Sequence, residues 1–155
     1  MQWSVDAVID TFFSSLTEGL MSYHSEAADD ELTHSIIGVA IDIHSTLGLG
    51  HSEEAYHNAL CIGLEDEELA VESEVEVPLR YKGEDMGLRY ADLVIDDEVV
   101  VEIKVKRHLT DKHFRQLGTY VEFLEKSRGL LLNFGRPTLD IRRYANDQHV
   151  DKKGA

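Results

Sequence analysis

At 155 residues the chain is long enough for one domain with a proper core and too short for two comfortable ones. Its 43% hydrophobic and 29% charged residues describe a globular chain with no apolar run of bilayer length, which sets a membrane partner aside. The single cysteine, Cys61, excludes an internal disulfide framework and fits a reducing cytoplasm. The net charge of −15 is lopsided: residues 1–79 hold 17 of the 30 acids and no Lys or Arg, while all 15 bases fall between Arg80 and Lys153.

SVDAVIDTFFSSLTEGLMSY (4–23) sets Val5, Val8, Ile9, Phe12, Phe13, Leu16 and Leu20 at helical spacing, which predicts an amphipathic helix. Nothing basic precedes it, so it does not read as a secretory signal. HSEAADD (24–30) is a polar link. A second helix is expected over 31–48, with Leu32, Ile36, Ile37, Ala40, Ile41 and Leu47 as its apolar stripe. Gly48 and Gly50 end it, and Ser52 is placed to cap a third helix over 53–69 that turns Tyr56, Ala59, Leu60 and Leu64 inward.

The apolar period then changes to two. AVESEVEVPLRYK (70–82) alternates Val71, Ser73, Val75, Val77 and Leu79 with Glu72, Glu74 and Glu76, a half-buried strand with an acidic outer face. KGED reads as a turn. Strands follow over 88–95 and 98–105, joined at Asp96-Asp97 by a tight hairpin. A helix capped by Thr110 is expected over 110–129, ending near Gly129, then an apolar strand over 130–134 and a last candidate strand over 140–144. The order predicts an α/β domain with a mixed sheet flanked by helices, to which the first helix is an addition.

The stretch VVVEIKVKR (99–107) raises a chemical question. Alternation puts Val99, Val101, Ile103 and Val105 on one face and Glu102 with Lys104 on the other. Asp92, on the preceding strand, completes a D-x9-E-x-K pattern across the hairpin. Two carboxylates on adjacent strands can converge on a hard divalent cation such as Mg²⁺, which lowers the pKa of a water and neutralises charge on a phosphodiester. A neighbouring lysine can orient that water or stabilise the developing charge. The competing reading is an exposed cross-strand ion pair, worth about 0.2–1 kcal/mol.

Gly50-x-x-Glu53-x-x-Tyr56 at the start of the third helix has its own plain explanation. Glu53 would favour the helix dipole, and Tyr56 would pack in the core. Yet the succession of the three blocks, residues 31–60, then 71–105, then 113–137, resembles the GxxExxY family of the PD-(D/E)XK nuclease-like superfamily. The resemblance runs over roughly residues 31–145 and implies a restriction-endonuclease-like α-β-β-β-α-β core. It implies a metal site in which Glu53 is the helix acid and Asp92 and Glu102 are the strand acids. Lys104 would be the catalytic lysine and Gln116, in RQLGTY, a polar contact to phosphate. Tyr120, one turn on, is assigned to packing.

Other clusters are weaker. His44, His51, His57 and Cys61 lie close in sequence, but none has the tight spacing of a zinc site. Cys61 lacks an acid–base partner and reads as a small buried hydrophobe. GLGHS has no phosphate-loop lysine and serves as a helix break. Lys106, Arg107, Lys112 and Arg115 could form a phosphate-contacting rim, with an ordinary solvated surface as the alternative.

The expectation is therefore a Mg²⁺- or Mn²⁺-dependent nuclease acting on nucleic acid, DNA favoured over RNA, in the cytoplasm. The alternative is a catalytically silent module that binds nucleic acid or a protein. The expected organisation is an N-terminal helical extension over 1–30, a nuclease-like domain over 31–146 and a flexible tail over 147–155. The acidic N-terminal half would offer a surface for a homodimer or a protein partner.

Overall fold

Asp30 and Ser52 each accept a hydrogen bond from an N–H in the first turn of the helix that follows, and those two caps start the helical layer. A computed structural model describes residues 30–149; the helix expected over 4–23 lies outside them. The helices are α1 (Glu31–Leu47) and α2 (Glu53–Asp66), followed by β1 (Val71–Tyr81), β2 (Glu84–Ile95) and β3 (Val99–Lys104). Then come α3 (Asp111–Phe123), β4 (Arg128–Asn133) and β5 (Asp140–Ala145).

The five strands lie in sequence order in one sheet, antiparallel except for the β3–β4 pair. A parallel neighbour cannot follow through a tight turn, and α3 supplies the crossover. The mixed sheet with helices on both faces is the restriction-endonuclease-like α/β architecture expected.

The sheet separates two cores. On one face, Ile36, Ile37, Ala40 and Ile43 of α1 and Tyr56, Leu60 and Leu64 of α2 pack on Leu93, Ile95, Val99, Val101, Ile103, Leu130 and Leu132. On the other, Leu117, Tyr120 and Val121 of α3 pack on Val77, Ala91, Val94, Val100 and Leu131. β3 and β4 are covered on both faces, which is why they are nearly continuous apolar runs.

Several boundaries differ from expectation. Leu47 is exposed, and Ile43 takes its place in the α1 stripe. β2 begins at Glu84 rather than 88, so β1 and β2 form a long hairpin turning at Lys82-Gly83, both at positive φ. The Asp96-Asp97 turn is present, with both residues at positive φ as a twist-matched hairpin requires. α3 stops at Phe123, not near Gly129, because Glu125 adopts a left-handed conformation (φ 53) that frees Arg128 and Gly129 for β4.

Candidate active site

Regular β2–β3 pairing covers only Ile95–Val99, Val94–Val100 and Leu93–Val101. Past that point the acidic side chains replace the ladder. The Asp92 N–H donates to Glu102 Oε1 at 2.9 Å, and the Ile103 N–H donates to Asp92 Oδ2 at 2.7 Å. Each carboxyl thus satisfies an amide of the opposite strand, and the second oxygen of each takes no hydrogen bond from the described residues.

The cause is a local slip in alternation. Leu93 faces α1 and α2, but Ala91 joins Val94 on the α3 side, so the face changes at Asp92. β1 slips with it: Ser73 pairs with Leu93 and Val75 with Ala91, with Glu74 between them at φ 52. The sequence pattern put Val71, Val75, Val77 and Leu79 on one face. Val71 belongs instead to the α1/α2 core and the other three to the α3 core.

Glu102 is only 4% exposed. Burial, then the neighbouring Asp92 charge, push its carboxyl up to about 8, opposed by the Asp92 amide and by Lys104. Burial also raises Asp92, against the Ile103 amide and Lys104. Lys104 forms no ion pair with either acid among the described residues. A simple cross-strand ion pair is therefore not what occupies this face.

Glu53 is exposed at the first turn of α2, and its Oε1 accepts from the Val105 N–H at 3.4 Å, just past the end of β3. Its charge acts on both Asp92 and Glu102. Gln116 is half-buried on α3 and donates to the Tyr120 hydroxyl at 2.7 Å; Tyr120 packs in the core as expected. Among the described residues no three His, Cys, Asp or Glu side chains are grouped closely enough to hold a metal ion.

The family model of the PD-(D/E)XK nuclease superfamily matches residues 30–144. The chain belongs to that superfamily. No curated protein matches it significantly. Among solved structures it is similar to the crystal structure of SSO0001, at 16% identity and a TM-score of 0.44, over 94% of this chain and 80% of that one.

Nucleases of the PD-(D/E)XK superfamily usually work with divalent metal ions. The donor set here fits such an ion chemically. Asp92 and Glu102 are hard oxygen donors held side by side by backbone amides, and burial, more than their mutual repulsion, raises both carboxyls. Glu53 stands at the rim, tied to the Val105 N–H, and its charge acts on both strand acids.

Asn133 and Gly135 were not recognised from sequence. Asn133 is fully buried at the end of β4, where its Oδ1 accepts from the N–H groups of Lys106 and Gly135 and its amide donates to the Lys106 carbonyl. Gly135 closes on the same peptide: a Cβ there would stand 2.5 Å from both Lys106 N and O. Together they pin the segment leaving β3 immediately after Lys104. An asparagine ending the apolar run LLLNF was the available signal.

His113 is half-buried, and its Nδ1 accepts from the Thr110 N–H at 3.1 Å. Burial and the charges of Lys104, Lys106 and Lys112 hold its imidazole below the usual range, so those three lysines gather at the start of α3. His57, weighed as a zinc ligand with Cys61, instead faces Ser73 and the Asp92 carbonyl.

Proposed function

We propose that this chain is a Mg²⁺- or Mn²⁺-dependent phosphodiesterase of the GxxExxY branch, hydrolysing nucleic acid and DNA in preference to RNA. The carrying observation is the Asp92–Glu102 arrangement, a half-buried and a buried acid whose carboxyls take amides of the opposite strand in place of the ladder beside Lys104. A stability-driven sequence gains nothing from setting a half-buried acid beside a buried one. Their cost is understandable where charge is wanted for chemistry.

Asp92, Glu102 and, at the rim, Glu53 would hold the ion, which supplies water activation and charge neutralisation at the phosphodiester. Lys104, on the Glu102 face, would orient the attacking water and stabilise charge on the phosphoryl oxygens. Gln116, once released from Tyr120, would reach a flanking phosphate. Lys106, Lys112 and Arg115 supply the positive surface that an acidic chain needs to accept a polyanion.

One observation favours a second reading, a nuclease-fold module that binds without turnover: the three acids are not grouped for metal, and Glu53 is exposed. In either reading residues 1–30 are an extension, 147–155 a tail, and the acidic N-terminal half a surface for a second copy or a protein partner. A cytoplasmic location accompanies both. The test is cleavage of single- and double-stranded DNA and RNA with Mg²⁺, Mn²⁺ or EDTA. Metal-dependent cleavage that is lost in Lys104→Ala, with an unchanged melting temperature, supports the enzyme. Absence of cleavage under any metal, with binding that survives Glu102→Gln, establishes the silent module instead.

A further inference from the structure

The irregular step across from Asp92 has a helix side chain wedged against it. Glu74 at φ 52 is a non-glycine residue in the left-handed region, a strained conformation that persists only when its surroundings impose it. His57 sits at this step. It is half-buried on α2, one turn after Glu53 on the same helix face.

Its Nε2 lies 2.9 Å from Ser73 Oγ on β1 and 3.4 Å from the Asp92 carbonyl oxygen on β2, and its Nδ1 lies 3.3 Å from Asn58 Oδ1. One imidazole thus touches both strands where their alternation slips. Helix packing does not require it, because Tyr56, Leu60 and Leu64 already bury the apolar side of α2.

We propose that His57, with Ser73, is a positioning residue that sets the separation between α2 and the Asp92 peptide, and so keeps Glu53 close enough to turn toward a cation held by the Asp92–Glu102 pair. The inference rests on the reading of those carboxylates as a divalent-metal site. Asp92 and Glu102 are already tied to each other through strand amides, but Glu53 reaches the strands only through a 3.4 Å contact at Val105. The His57 bridge is the second tie between the helix acid and the strand acids. Such outer contacts to a metal site change affinity about 10–100-fold when removed.

The experiment is calorimetric titration of Mn²⁺ into the full chain at pH 8.5, with melting temperature in EDTA as the fold control. His57→Ala is expected to weaken Mn²⁺ binding about 10–100-fold. His57→Gln, whose side-chain amide reaches the same two oxygens, is expected to restore most of it, and Ser73→Ala to fall between. Wild-type affinity in a folded His57→Ala overturns the inference. If that variant does not fold, Ser73→Ala decides at an exposed position, and unchanged affinity there overturns the inference. A wild-type chain that binds no Mn²⁺ overturns the metal reading itself, and this inference with it. The two failures are therefore distinguishable.

Discussion

Glu102→Gln keeps the shape of the buried side chain and its acceptor for the Asp92 amide, but removes the charge. In the metal-free protein the Glu102 carboxyl titrates near 8 instead of 4.5, because burial and Asp92 disfavour its charged form. A group whose folded pKa is raised holds more protons folded than unfolded. Its contribution is fully present below about pH 4.5 and is lost as pH climbs toward about 8. A shift of that size corresponds to a ceiling of roughly 5 kcal/mol. Asp92 competes for the same proton, so the expected difference is on the order of 2–3 kcal/mol. At about 2–4 °C per kcal/mol for a chain of this length, Glu102→Gln should melt some 4–12 °C above wild type at pH 8.5 in EDTA.

The two proteins should converge at pH 4.5. Thermal melts followed by far-UV circular dichroism across that pH range measure both curves, and their difference cancels the repulsion from the net charge of −15. Added Mn²⁺ should raise the wild-type curve at pH 8.5 and leave the variant's almost unmoved. A variant less stable than wild type at pH 8.5 in EDTA would refute the account of Glu102 as a strained buried charge.

Asn133→Ala removes three hydrogen bonds to the Lys106 and Gly135 backbone and leaves two part-buried N–H groups without acceptors. A loss of about 2–4 kcal/mol in urea unfolding is expected, with the Lys104 segment losing amide-exchange protection first. Tyr56→Phe keeps the ring stacked on Phe134 at 4.4 Å but loses the hydroxyl bond donated to the Gly48 carbonyl. Urea denaturation should show a cost of about 1 kcal/mol.

How much was legible depended on how local the determinant was. The helices starting at Glu31 and Glu53, the Asp96-Asp97 turn and the alternation of 99–105 follow from caps, positive-φ tolerance and side-chain periodicity, all encoded within a few residues. Asp92, Glu102 and Lys104 could be singled out because charge in an otherwise apolar strand is expensive. Glu53 could not be separated from an ordinary first-turn acid by pattern alone, and only the family resemblance raised it.

Periodicity assumes an unbroken pleat. The slip at Glu74 and Asp92 is a property of three adjacent strands, so β1's split between two cores could not be read from β1. The same holds for α3, whose end is set by a left-handed Glu125 rather than by the glycine the sequence offered. Asn133 and His57 act through residues 27 and 35 positions away, and such pairings exist only once the sheet and helices have met. The sequence by itself determined which elements form, because that depends on near neighbours, and it marked Asp92 and Glu102 as acids out of place in apolar strands. Only the tertiary structure decided that the Asp92 and Glu102 carboxyls take the Ile103 and Asp92 amides, and that His57 reaches from the helix of Glu53 to the Asp92 strand.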